Sequence, residues 1–472
     1  MTRTKIVATV GPASNSRETI RKLLRAGMNV ARVNFSHGTH ETHSATVALL
    51  REVAAEEKRI LAILGDLQGP KLRLGHVKSG GIPLSLDDEV ILTPHRGQPA
   101  MIHLPHPDLI AIIQPGARLV VGDGEVELTV TEKKGDALRC TVTVAGLLEA
   151  RKGINAPGTP LPIPSITDKD KEDLKLVSQL ELDYVALSFV RSAEDVHELR
   201  ELLRQEGRDI HIIAKIEKSE AIDHLEDIRD AADGIMVARG DLGIDMPPQK
   251  VPLLQKRIIR CCNAVGKPVI TATQMLQSMV DHPRPTRAEA SDVANAILDG
   301  TDAVMLSQET ASGHFPVESV QMMRQIAEMT ERHFPYDLWR TRRRESFGQG
   351  KANVTEAISA SSCAIAEEIG ARFIVSASMS GYTATQIARH RPVTNIVAVS
   401  PSAETQRRLA LVWGVECFLV SHFEQTDEMI AHTMAALAPF DLQSGDRLVF
   451  TAGVPFGSSG HTNLIQVHEI AE

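Results

Sequence analysis

Six apolar runs in this 472-residue chain end in side chains that could do chemistry. NVARVNFSH carries Arg32, Asn34 and Ser36, and ILAILGDLQGPKLR carries Asp66, Lys71 and Arg73. IHIIAKIEK carries Lys215 and Glu217, and GIMVARGD ends in Gly240 and Asp241. VITATQ and VMLSQE supply Thr273, Ser307 and Glu309. Residues two apart in a strand share a face, so Arg32, Asn34 and Ser36 project together, as do Lys215 and Glu217. Two carboxylates, Glu217 and Asp241, suit a hard divalent cation, Mg2+ or Mn2+ rather than zinc. Lys215, Arg32 and Arg73 would then face an anionic substrate. An isolated lysine or glutamate is usually a solvated surface group. Lys215 and Glu217 differ because they interrupt an apolar strand on its inward face. Paired only with each other, they would form a buried ion pair of doubtful net benefit, so function is the better reading.

These residues need a scaffold that brings many strand ends to one place. Eight short strands are expected, at 5–11, 29–35, 60–66, 184–189, 210–217, 234–241, 267–274 and 302–309, with helices between them. Thr167…Asp170, Ser192…Asp195 and Thr286…Glu289 have the capping-box spacing of helix starts. Eight strands alternating with helices predict an α/β fold of the (β/α)8 TIM-barrel type, with a doubly wound sheet as the alternative. The collection of polar residues at the C-terminal ends of the strands favours the barrel. Segment 69–155 breaks the alternation. Glu125–Val130 and Leu138–Val144 read as a hairpin around a Lys-Lys-Gly-Asp turn, so a small β-barrel lid domain is expected as an insert after the third strand. YDLWRTRRRESFGQGKAN, from residue 336, reads as a linker. A C-terminal α/β sandwich follows, with strands expected in RFIVSAS, NIVAVS, VECFLV and DRLVFTAG. The expected domains are 1–68 with 156–338, 69–155, and 339–472.

Composition sets the class. Apolar content of 43% and charge of 24% are those of a globular protein. A formal charge of -9 argues against general nucleic-acid binding. No run of eighteen apolar residues and no signal-peptide pattern is present, so a cytoplasmic protein without membrane partners is expected. Five cysteines without metal-ligand spacing read as reduced and structural.

The chain resembles the pyruvate kinases. The resemblance is carried by TKIVATVGPAS (4–14), ARVNFSHG (31–38), IAKIEKSEAI (213–222), VARGDLGID (237–245), TATQML (271–276), PTRAE (285–289), DVANAILDGTDAVMLSQETASG (292–313) and AGVPFGSSGHTNLIQV (452–467). It implies phosphoryl transfer from phosphoenolpyruvate to ADP, giving pyruvate and ATP. It further implies that Glu217 and Asp241 hold Mg2+, with Mn2+ as a substitute, and that Arg32, Lys215, Gly240, Asp241 and Thr273 contact phosphoenolpyruvate. Lys215 would stabilise the phosphoryl group in transit. Arg32, Asn34, Phe35, Ser36, His37, Arg73 and Lys152 would contact the nucleotide. Thr273 and Ser307, through water, would lie on the route that protonates the enolate.

In many relatives the segment DLQGPKLR reads closer to DTKGPEIR, and K+ is bound by residues matching Asn34, Ser36, Asp66 and the carbonyl of Leu67. Here Lys71 replaces the glutamate, so a tethered ammonium is expected to make K+ dispensable. The loop with Ser378, Ser380, Gly381 and Thr383 matches the one that binds an effector phosphate in the family. A homotetramer is implied by resemblance alone. A metal-dependent barrel lyase acting through a pyruvate enolate is the rival enzyme, and an inactive regulatory relative is the non-enzymatic one.

Overall fold

A computed structural model describes residues 2–77, 80–96, 101–122, 124–159, 163–341, 353–456 and 461–471. The eight expected strands close into a parallel barrel. In chain order they are Lys5–Thr9, Val30–Asn34, Ala62–Asp66, Tyr184–Leu187, His211–Ile216, Gly234–Ala238, Val269–Ala272 and Ala303–Leu306. The ring closes where strand eight pairs with strand one, Lys5 opposite Ala303. Strands this apolar are stable only when covered on both faces. One face packs inward, with Val7, Leu64, Ile213 and Met236 among the interior residues. The other face packs on the surrounding helices through Ile6, Ile63, Ile212 and Val237. Helices Asp168–Gln179, Ala193–Gln205 and Arg287–Asp299 each begin with the expected capping box. Such a box satisfies two otherwise orphaned N–H groups, and loss of the cap costs about 1 kcal/mol.

The insert after strand three contains a six-stranded sheet and a two-stranded sheet around a core of its own. Its central hairpin pairs Val126–Lys134 with Ala137–Val144 and turns at Gly135, whose φ of 62° suits glycine. The C-terminal unit is a five-stranded sheet. Strands Phe373–Ala377, Asn395–Ser400, Val415–Leu419 and Arg447–Ala452 were the expected ones. Leu464–Glu469 adds an antiparallel edge strand that the sequence reading did not separate from the GVPFGSSG loop. The expected linker is corrected in part. Residues 336–341 are helical and Trp339 is buried, because it stacks on Phe334, which also meets Trp413, and does not face solvent; 342–352 lie outside the described residues.

Four of the five cysteines are buried, Cys261 is partly buried, and all five are free thiols. No described helix is long and apolar enough to cross a membrane.

Candidate active site

The barrel delivers the strand-end residues to one mouth. Arg32 lies in strand two, whose register sets it beside Leu64 and sets Asn34 beside Asp66. Arg32 Nε reaches Asp66 Oδ2 at 2.6 Å, and its NH1 donates to Thr9 Oγ1 at 3.0 Å. Lys215, near the end of strand five, meets Asp66 Oδ1 at 3.2 Å and Glu217 Oε1 at 2.9 Å. Its ammonium also donates to Ser188 Oγ at 2.7 Å. Lys215 is therefore not in a simple pair: three donor directions are filled by two carboxylates and a hydroxyl. That is the full hydrogen-bonding capacity of an ammonium.

The electrostatics follow from this sharing. Burial alone would pull Lys215 down, but Asp66 and Glu217 outweigh it and hold the ammonium above its ordinary range. Burial would likewise raise Asp66, yet Lys215 and Arg32 keep its carboxylate below the usual value. Glu217 moves the other way. Burial pushes it up, Lys215 opposes this, and Asp241 adds further repulsion, leaving it above the normal carboxylate range. One ammonium is divided among neighbouring carboxylates and cannot stabilise them all. Glu217 and Asp241 thus form a site short of positive charge, and a hard divalent cation fits that donor set. Among the described residues no group of three or more His, Cys, Asp or Glu side chains could hold a metal. Two protein carboxylates suit a cation that completes its shell with water and substrate oxygens.

Gly240 and Asp241 open the short helix Arg239–Asp245 after strand six. The Gly240 N–H donates to Thr273 Oγ1 at 2.8 Å. Thr273 has φ 67° and Gln274 has φ 53°. A β-branched residue in the left-handed region is strained and persists only when its surroundings over-determine it. Arg239 is one cause: it donates to the carbonyls of Ala272 (3.1 Å) and Thr273 (2.7 Å) and pairs with Asp292. Glu309, fully buried, is the other. It accepts from the N–H groups of Leu276 (3.1 Å) and Ser307 (2.7 Å), tying the loops after strands seven and eight together.

Ser188, Thr9 and Arg239 were not singled out from sequence. Ser188 ends the YVALSF run as visibly as Ser307 ends its own, so the strand-end rule could have found it. Arg239 acts on backbone carbonyls, which no motif of residue types reports.

Two family models match the chain: the pyruvate kinase barrel domain over residues 1–320 and the pyruvate kinase alpha/beta domain over 356–468. A pyruvate kinase from Geobacillus stearothermophilus is 45% identical over 477 residues, spanning all of this chain and 81% of the relative. One from Staphylococcus aureus is 44% identical over 479 residues with the same coverage. A crystal structure of a pyruvate kinase from Cryptosporidium parvum superposes with a TM-score of 0.92 at 35% identity, covering 99% of this chain and 96% of that one. The chain belongs to the pyruvate kinase family.

The remaining residues matched to pyruvate kinase roles are more dispersed. Phe35 is buried against His43, and its N–H donates to the Asp66 carbonyl. Asn34 Oδ1 accepts from the Ser36 N–H at 3.1 Å, while His37 is exposed. The Leu67 carbonyl accepts from Ser188 Oγ at 2.8 Å. Lys71 is exposed and, with Arg191, Lys218 and Asp241, lines the cleft between barrel and insert. Arg73 bridges to Gly153 and donates to the Arg151 carbonyl at 3.1 Å, joining the two ends of the insert. Lys152 is turned into the insert, paired with Glu125 at 2.8 Å and Glu149 at 3.3 Å. In the C-terminal loop, Ser378 Oγ accepts from Gly381 N (3.0 Å), Ser380 Oγ from Tyr382 N (3.5 Å), and Thr383 Oγ1 pairs with Thr462 Oγ1 (2.9 Å).

Proposed function

We propose that this protein transfers the phosphoryl group of phosphoenolpyruvate to ADP at the barrel mouth, forming pyruvate and ATP as the closing step of glycolysis. The observation that carries this reading is the charge arrangement around Lys215, an ammonium fixed between Asp66 and Glu217. In the reaction, the bond from phosphorus to the enolate oxygen breaks and a bond from phosphorus to a β-phosphate oxygen of ADP forms. The methylene carbon of the enolate then takes up one proton. Charge spreads over the transferring oxygens, and a preorganised cation there lowers the barrier. Lys215 and Arg32 are held in place by Asp66, so they need not reorganise as the charge moves. Glu217 and Asp241 would hold the divalent metal, which neutralises phosphate charge. The backbone N–H groups around Gly240, at a helix start, would receive the substrate carboxylate, the Gly240 N–H leaving Thr273 Oγ1 to do so. Thr273 and Ser307 would lie on the water route that protonates the enolate. Arg73 and Lys152 would reach the ADP phosphates when the insert closes, which requires Lys152 to leave Glu125.

The assignments of domains to 1–68 with 156–338, 69–155 and 339–472, of a cytoplasmic location, of a homotetramer, and of a phosphorylated effector at Ser378–Thr383 rest on the family resemblance. K+ independence rests on Lys71. Asp66 is already paired twice, and a lysine in the cleft supplies a positive charge without recruiting an ion. Turnover in tetramethylammonium buffer should equal that in K+, whereas restoration of a lost rate by K+ would refute this point. A coupled assay tests the reaction itself: pyruvate should form only with ADP present, in step with ATP. Equal formation without ADP would favour the lyase reading.

A further inference from the structure

The barrel floor is completed by another part of the chain. Leu411, from the 3-10 turn Leu409–Leu411 of the C-terminal unit, is fully buried in the barrel interior with Val7, Val30, Tyr184 and Ala303. Two residues earlier, Leu409 belongs to the core of the C-terminal unit. It packs so closely on Gly381 that a Cβ there would lie 3.0 Å from Leu409 Cδ2. A single turn thus has a side chain in each of two cores.

Charged contacts flank the turn on both sides. Arg407 Nε meets Asp183 at 2.6 Å, and Tyr184 Oη donates to the Arg408 carbonyl at 2.7 Å, gripping the start of strand four. Across the barrel, Asp302 at the start of strand eight accepts from Arg391 NH2 (3.1 Å) and the Trp413 N–H (3.2 Å). Strands four and eight are four positions apart in the eight-membered ring, so they lie opposite each other. At their far ends stand Ser188 and Phe189, which hold Lys215 and Glu217, and Ser307.

We propose that the Leu409–Leu411 turn is a positioning plug, through which the C-terminal unit sets strands four and eight and thereby the affinity of the mouth for phosphoenolpyruvate. The inference rests on the reading of the mouth as the phosphoenolpyruvate site. A close-packed interior transmits a displaced side chain rather than absorbing it, so unseating Leu411 shifts the strands it touches. None of the plug residues touches substrate; they act through Ser188, Phe189 and Ser307.

The test is calorimetric binding of phosphoenolpyruvate with Mg2+ to the full chain. Leu411→Ala is compared with the volume-conserving Leu411→Met. Circular dichroism reports folding. Tryptophan emission reports the seat, since Trp339 and Trp413, the only tryptophans in the sequence, both stack on Arg391, at 5.6 and 4.9 Å. Leu411→Ala should stay folded, shift the emission and weaken binding about tenfold, with Leu411→Met within about twofold of the parent. A folded Leu411→Ala with shifted emission and parental affinity would overturn the proposal. If Leu411→Ala fails to fold, Arg407→Met carries the same test, because Asp183 keeps its partner Arg51 at 2.8 Å. Parental affinity in that variant also overturns it. A parent that binds no phosphoenolpyruvate would instead refute the reading of the mouth, and the first titration shows it.

Discussion

Lys215 and Lys5 are enclosed lysines at opposite ends of the same barrel, and they are held in opposite states. At the mouth, Lys215 has carboxylate oxygens of Asp66 and Glu217 at ion-pair distance and stays above its ordinary range. At the floor, Lys5 donates to the Val415 carbonyl at 2.7 Å. Burial pulls it down to about 8, and the more distant charges of Glu416, Glu331 and Asp302 recover only part of the loss. Burial is common to both; direct carboxylate contact is not. The floor uses its buried polar groups to join two parts of the chain, Lys5 meeting the Val415 carbonyl and Arg391 meeting Asp302, although Arg391 Nε and Arg408 Nε find no acceptor among the described residues. The mouth leaves Glu217 and Asp241 short of positive charge, and holds Thr273 in a strained conformation. Sites that must bind a cation and an anionic substrate keep such imbalances, at some expense in stability.

Removing the charge at the mouth should have the largest effect. Lys215→Met should lower kcat/KM by about a thousandfold or more, equivalent to about 4 kcal/mol of transition-state stabilisation, in the pyruvate assay. Glu217→Gln should weaken Mn2+ binding by about 10- to 100-fold, read by electron paramagnetic resonance of the free ion. Lys71→Glu should make turnover depend on K+ by about tenfold, since it exchanges a positive for a negative charge in the cleft.

At the floor the expected effect is smaller and depends on pH. The folded-state value of Lys5 lies below its unfolded one, so between about 8 and 10 the unfolded chain binds more protons and stability rises with pH. Lys5→Met should abolish that rise, which amounts to about 3 kcal/mol at most. Urea unfolding of parent and variant at pH 7.5 and 9.5 measures it. A parallel pH dependence in both proteins would show that Lys5 is not depressed.

The mouth was more legible in the sequence than the floor. Lys215, Glu217 and Asp241 interrupt or end apolar runs, and the barrel architecture alone tells where strand ends collect. Lys5 begins its strand, where a charge usually marks the edge of an apolar run, and its partner lies 410 residues away. The LAL turn that fills the barrel floor looks like the end of a helix, and nothing local distinguishes it. Ser188 ends its run just as Ser307 does, but only Ser307 lies in a segment that carries the family resemblance. Arg239 and Glu309 escaped assignment because they act on backbone groups, which sequence patterns do not name.

The role proposed for the Lys215 ammonium is to serve the phosphoryl group in transit rather than the resting substrate or the fold. The direct measurement is phosphoenolpyruvate affinity of Lys215→Met by calorimetry, set beside its kcat. Affinity should stay within about tenfold of the parent while kcat falls about a thousandfold or more. A loss of affinity large enough to account for the whole defect, with kcat retained at saturating substrate, would contradict it.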